Sequence, residues 1–421
     1  MRRIRWPRES NLGGSIGAVQ LELDVAWLVG CAGLVFLMQP GFMCLESGLT
    51  RSKNSINVAI KNLTDFAISI VVFWFFGFAV MFGASRAGWL GSSMFFPELA
   101  DSSRLAAFFL FQAMFCGTAT TIVSGAVSER MRYNMYLWIC LLISGLIYPV
   151  FGHWAWNAIE HGGPGGWLEN LGFADFAGST VVHSIGGWVA LAALLVLGPR
   201  TGRYDADGRT REISGSDLPL SVLGCMLLWL GWMGFNGGST LAFDAQIPRI
   251  IVQTILAGAT GLLSAAALGW YYNKVPRVET MINGSLAGLV SITAGCNVMS
   301  TPRAALVGAI GGAVMLLATY WLNRWKIDDG VDAIAIHGFG GVWGTLSVAL
   351  LGDLDLLGKG LSRYHQLGIQ LLGVLVAFVW AFGVSYLILS ILNRISPLRV
   401  SLEEEDIGLN VSEHGAKTEI Y

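Results

Sequence analysis

The chain has 421 residues, 54% of them hydrophobic and only 13% charged, with a mean hydropathy of +0.60. A soluble globular domain carries roughly 25% charged residues, so a surface exposed mainly to water is excluded and lipid is the expected solvent. The net charge of −2 gives no sign of a nucleic-acid partner, and the cluster Arg2, Arg3, Arg5, Arg8 is short enough to be a solvated terminus.

Hydropathy predicts eleven transmembrane helices of about 18 to 26 residues, each able to cross a hydrocarbon core roughly 30 Å thick. Residues 9–22 lack the apolar run of a cleavable signal, so the first helix, Asp24 to Gly48, is expected to direct insertion. It carries Glu46 near its end, placed to pair with Arg51 or Lys53. The second stretch runs from Leu63 to Gly83. The third, Arg104 to Val127, places Phe111 and Phe115 four residues apart on one face. The fourth, Asn134 to Trp156, ends on a tryptophan that could equally serve an interfacial belt.

Asp175, in the run DFAGSTVVH, is suited to cap the fifth stretch, Ala177 to Gly198, which contains His183. The sixth, Leu218 to Ala242, contains Phe235 in GWMGFNGGS. The seventh, eighth and ninth run from Ile250 to Tyr272, Met281 to Val298 and Arg303 to Arg324. The tenth, Ala333 to Leu351, contains His337, and the eleventh runs from Gln366 to Ile391. The acidic tail that follows (Glu403 to Asp406) reads as solvated. All six cysteines fall in or beside apolar stretches without a CxxC pair, so neither a disulfide framework nor a zinc site is expected.

Loop charges set the orientation. Arg51, Lys53, Lys61, Arg130, Arg132, Arg200, Arg203, Lys274, Arg277, Arg324 and Lys326 fall on one side, outnumbering those opposite, and such residues stay cytoplasmic. The C-terminus is therefore expected in the cytoplasm and the N-terminus outside, against the preference of the N-terminal arginines. HSIGGW (His183 to Trp188) and HGFGGVWG (His337 to Gly344) share an H-x-x-G-G core in the fifth and tenth helices. Five helices per half makes this an inverted 5+5 repeat with an eleventh helix outside it, a plan that places the site near the midplane. The expected divisions are an extracytoplasmic segment over 1–23, a membrane domain over 24–391 and a cytoplasmic tail over 392–421.

His183 and His337 are the titratable groups that most need explaining, because such groups are costly within a membrane. His183 lies about 12 Å into a helix entering from one side, and His337 about 7.5 Å into a helix entering from the other, so both reach one midplane. Neutral imidazoles there can hold a small polar molecule or relay a proton. Phe111, Phe115, Phe235 and Trp156 would form an aromatic cluster that attracts small cations through its ring faces. With no third ligand at a suitable spacing inside the helices, no metal, cofactor or enzymatic centre is expected.

The run DFAGSTVVHSIGGWVALAALLVLGPR, with FQAMF, SERMR, HWAW, GWMGFNGGS, NGSLAGLVSITAG, IHGFGG and the tail GLNVSEHG, resembles the ammonium transporter (Amt/Mep/Rh) family over nearly the whole chain. The resemblance implies ammonium or ammonia as substrate, recruited by Trp156, Phe111 and Ser239 with support from Asp175, a phenyl gate of Phe115 and Phe235, and a twin-histidine pore of His183 and His337. It further implies a homotrimer in the cell membrane (the inner or plasma membrane), whose tail packs along neighbouring subunits and which a PII-type signal protein can close. Glu46 departs from the family pattern. The run FLMQPGFMCLESGLTRSKNSINVAIKNLTD is similar to a branch sometimes fused to a signalling output domain, so an ammonium sensor with little flux is the alternative expectation.

Overall fold

The computed structural model describes residues 15–160, 162 and 165–416, and the chain is an all-α membrane protein. In chain order the long helices are α1 (Gly17–Leu49), α2 (Ser52–Phe82), α3 (Ser103–Ala126), α4 (Tyr133–Trp156), α5 (Ser179–Leu197), α6 (Leu218–Gly238), α7 (Ile247–Asn273), the shorter α8 (Val278–Thr293), α9 (Thr301–Arg324), α10 (Ile334–Leu351) and α11 (Arg363–Ile395). Among the described residues ten helices are long and apolar enough to cross a membrane, and α8, with 16 residues, is not one of them. A small antiparallel hairpin, β1 (Ser85–Arg86) and β2 (Leu90–Gly91), pairs Ser85 with Gly91 between α2 and α3. Arg2, Arg3, Arg5, Arg8 and Lys417 lie outside the described residues.

The helices depart from the hydropathy segments where polar residues find partners inside the protein. α2 starts eleven residues before the expected Leu63, because Asn57, Lys61 and Asn62 are buried against other helices rather than placed in water. α8 ends at Thr293 rather than Val298. Its last turn is exchanged for pairing with the segment before α5: Ala177 and Phe176 donate their N–H groups to the carbonyls of Thr293 and Ala294 (3.1 and 3.0 Å). α3, apolar on every side, has 89% of its most apolar window buried, whereas the corresponding figure for α11 is 22%. A helix hydrophobic all round belongs at the centre, so α3 is the core of the bundle and α11 braces its outside.

One end of the bundle is tied by buried ion pairs. Glu129 accepts hydrogen bonds from Arg51, from Arg200 Nη1 (2.7 Å) and from Asn54 Nδ2 (2.9 Å), and Asp328 receives Arg200 Nε (2.8 Å) and Nη2 (2.9 Å). The expected pairing of Glu46 with Arg51 or Lys53 is therefore not formed. Arg51 goes to Glu129, Lys53 Nζ donates to the carbonyls of Glu405 and Asp406 (2.9 and 2.6 Å), and Glu46 accepts from Asn62 Nδ2 (2.8 Å) inside the membrane domain.

Nor is the acidic tail simply solvated. It folds into α12 (Leu402–Ile407), opened by a Ser401/Glu404 capping box, and α13 (Leu409–His414). Asn410 Oδ1 accepts the N–H of Asn57 (3.0 Å) and Asn54 Oδ1 that of Leu409 (2.8 Å), docking the tail on the start of α2 in its own chain.

Burial alone would raise the carboxyls of Glu129 and Asp328, but Arg200, helped by Arg51 and Arg130, holds both below the usual carboxylate range. A carboxyl held low when folded contributes stability that is present above its unfolded value and lost as pH falls through the folded one. The thermal midpoint in detergent is thus expected to hold from pH 7 to about pH 5 and to fall below about pH 4. Asp328→Asn strands a buried guanidinium and should cost about 3 kcal/mol or more at pH 7; a variant as stable as wild type there would contradict this account.

Candidate functional site

α5 and α10 both begin with a π-helical turn, Ser179–Ser184 and Ile334–Phe339, and each turn contains one of the two histidines. Such turns are uncommon and concentrate at functional sites. Each is fixed by an aspartate eight residues before its histidine. Asp175 accepts the N–H groups of Gly178 and Ser179 on Oδ1 (2.9 Å each) and those of Thr180 and Val181 on Oδ2 (2.8 Å each). It caps the turn, as the sequence leads one to expect. Asp329 does the same for α10, taking the N–H of Ile334 (2.7 Å) and of Val331 (3.3 Å). Sequence reasoning missed Asp329, although the spacing of DFAGSTVVH recurs in DGVDAIAIH.

The two turns meet because glycine stands four residues after each histidine. A Cβ on Gly187 would lie 2.5 Å from the N atom of Gly338, and one on Gly341 would lie 2.2 Å from the carbonyl oxygen of Ser179. With only hydrogen atoms there, the backbones close until Nδ1 of His183 and Nδ1 of His337 are 3.2 Å apart, both rings buried and 18° from parallel. One of the two nitrogens must donate and the other accept, which requires at least one neutral ring. Among the described residues, Nε2 of His183 is buried without a protein hydrogen-bond partner.

On one side the histidines are closed off by aromatic rings. Phe115 and Phe235 stack with centroids 3.9 Å apart and planes 14° from parallel, and Phe235 lies 5.5 Å from the His183 ring. Beyond this stack is a hollow, with an empty volume of about 200 Å³, lined by Phe111, Phe115, Trp156 and Ser239 among others. Phe111 sits 4.7 Å from Phe115, and Trp156 donates its indole N–H to the carbonyl of Asp175 (2.7 Å). That bond is buried rather than interfacial, so Trp156 belongs to the interior. Ser239 Oγ donates to the carbonyl of Phe235 (2.8 Å) and keeps its lone pairs for another donor. On the other side of the pair, Phe42 lies 6.0 Å from the His337 ring. Seven of the eight residues singled out in the sequence thus form one continuous column, and the eighth, Asp175, supports it from behind.

A column of aromatic rings and imidazoles through an apolar helical bundle, enclosed by two matching helices that each open on a π-helical turn, defines a membrane protein of the channel-like transporter class. The profile of the Ammonium Transporter Family matches residues 26–419. The chain is 56% identical over 404 residues to sll0537 of Synechocystis sp., which bears an ammonium-transporter name, covering 95% of this chain and 75% of that one. It is 40% identical over 420 residues to the ammonium transporter Amt2 of Archaeoglobus fulgidus (94% and 88%). Among solved structures, one titled Sensor Amt Protein superposes with a TM-score of 0.92 at 43% identity (94% and 99%), and Mep2 of Candida albicans with 0.82 at 27% (94% and 91%). The chain belongs to the ammonium transporter family.

The glycine contacts make the histidine geometry testable without touching a histidine. Gly341→Ala is expected to push the two π-helical turns apart, lengthening the Nδ1–Nδ1 contact beyond hydrogen-bond range and destabilising the fold by about 1–3 kcal/mol. A crystal structure of the variant with the 3.2 Å contact intact would refute the claim that this glycine sets the distance.

Proposed function

We propose that the protein conducts ammonium across the cell membrane by taking up NH4+ in the aromatic hollow, deprotonating it and passing NH3 along the His183–His337 pair. The observation that carries this reading is the buried contact between the two histidines directly behind the Phe115–Phe235 stack. In the hollow, ring faces of Trp156 and Phe111 offer cation–π attraction, and Ser239 an acceptor. Asp175 adds its charge from behind while holding the turn that carries His183.

A bare cation cannot follow this route cheaply. Moving a charge out of water into an apolar passage costs several kcal/mol unless it is paired, whereas neutral ammonia pays only for its hydrogen bonds. The free Nε2 of His183 supplies one such bond as the molecule slips past the phenyl stack. Because the histidines touch, a proton can pass from one ring to the other, so the proton has a path beside the gas.

In this reading α1–α5 and α6–α10 are inverted halves, α11 is an external brace, the N-terminus lies outside and the tail in the cytoplasm. Residues 1–23, 24–391 and 392–421 are the outer segment, the membrane domain and the cytoplasmic tail, and the protein works as a homotrimer in the plasma membrane. The tail face, with Arg51 and Arg200 engaged by carboxylates and Lys53 by the backbone carbonyls of Glu405 and Asp406, is where a PII-type protein or a fused output domain would act. The likeness to a structure titled Sensor Amt Protein favours one second reading, an ammonium sensor in which binding shifts the tail with little flux.

Purified protein on a solid-supported membrane should give a saturable current on an ammonium jump, and His183→Ala with His337→Ala should abolish it. Full uptake and current in the double variant would overturn the histidine route. Saturable ammonium binding by wild type with neither current nor uptake would instead establish the sensor reading.

A further inference from the structure

The polar residues buried in α1 and α2 take no part in the column described above, yet one of them reaches its far end. Below His337, on the side away from the phenyl stack, lies a second hollow with an empty volume of about 250 Å³, lined by Phe42, Glu46, Ile122, Val331, Ile336 and His337 among others. Glu46 is its one acidic side chain and is itself almost wholly buried.

The carboxylate is held there deliberately. Asn62 Nδ2 donates to Glu46 Oε2 (2.8 Å), and Asn62 is in turn fixed by Thr121 Oγ1, which donates to its Oδ1 (2.9 Å). Gly125 of α3 leaves the space the acid occupies, since a Cβ there would lie 2.9 Å from both Cδ and Oε1 of Glu46.

The ionisable side chains that α2 places around this acid do not balance its charge. Lys61 and Asp65 are buried beside it on α2. Asp65 is engaged by Tyr136 OH (2.6 Å) and Gln39 Nε2 (3.2 Å), whereas Lys61 Nζ makes no hydrogen bond and lies 5.5 Å from the centre of the Tyr136 ring. Two carboxyl groups face one amine, so with all three ionised one negative charge is left in an apolar surrounding. Such a charge is costly unless a cation or a proton joins it. The hollow is open to the column, and Phe42 presents an aromatic ring 6.0 Å from His337, so a small monovalent cation placed there meets both a carboxylate and a ring.

We propose that the hollow between His337 and Glu46 is a second cation site, which holds an ammonium ion on the tail side of the histidines. The inference rests on the conduction reading above and adds to it a carboxylate anchor at the opposite end of the column.

Thallous ion, a monovalent cation with strong anomalous scattering, serves as the probe. Crystals of the whole chain soaked in a thallium salt should show two anomalous peaks, one beside Trp156 and Ser239 and one within about 4 Å of the Glu46 carboxylate, the range of an ion pair. Glu46→Gln, which keeps shape and the Asn62 contact, should lose only the second peak. In calorimetric titration with ammonium chloride the same variant should weaken one of two binding components at least tenfold. A wild-type crystal with the Trp156 peak and none at Glu46 overturns the second site, meaning that the acid carries a proton instead, and leaves the conduction reading standing. A peak at Glu46 with none near Trp156 keeps the second site and overturns recruitment in the aromatic hollow.

Discussion

Everything at the centre of this molecule depends on how closely two backbones can approach. α5 and α10 touch where Gly187 faces Gly338 and Gly341 faces Ser179, and lipid supplies no hydrophobic force to press them together; close packing of small residues does that work in a membrane. Once the backbones are in contact, the two imidazoles have nowhere to go but against each other. The H-x-x-G-G repeat is therefore a packing motif and a chemical motif at once: its final glycine sets the distance over which the histidines interact.

The π-helical turns follow from the same requirement. An ordinary α-helical start leaves its first N–H groups without partners, which is unaffordable inside a bundle. Asp175 collects four of them and Asp329 at least two. These two buried aspartates thus serve first as backbone acceptors. Any influence they have on a cation comes through the turns they hold and the negative charge they leave nearby.

The column was legible in the sequence because its parts carry local signatures. Phe111 and Phe115 are one helical turn apart, and the histidines stand out by their cost in an apolar run. What could not be read was anything that depends on which segments are neighbours. Glu46 looked interfacial beside Arg51 and Lys53, but α2 continues toward the tail side through Asn57, Lys61 and Asn62, and this carries a ready-made amide to the acid. Hydropathy discounted those same residues and so began α2 too late. It ran α8 too long for the converse reason, since the apolar residues after Thr293 are spent on pairing with Phe176 and Ala177. The tail looked solvated because its acids are numerous; that Asn54 and Asn57 wait at the start of α2 to receive it is a tertiary fact with no local signal.

These separate contacts close into a single ring of constraint. α5 opens at the turn held by Asp175 and presents His183; just past its other end, Arg200 grips Asp328 with both Nε and Nη2. The next residue in the chain is Asp329, the acceptor that fixes the turn of α10 and with it His337, which returns to His183. Arg200 also reaches Glu129, which accepts Arg51, while Glu405 of the docked tail takes the N–H of Thr201 beside it (2.7 Å). The tail is consequently one hydrogen bond and one peptide bond away from the ion pair that positions one wall of the column. A displacement at the tail face has a short and buried route to the histidines, made of charge-assisted bonds that are expensive to stretch, whereas α11, with most of its apolar window facing outward, reaches the same turns through neutral bonds: Gln370 Nε2 donates to the carbonyls of Ala174 (2.6 Å) and Thr345 (3.0 Å), and its Oε1 accepts the N–H of Ala174 (3.0 Å).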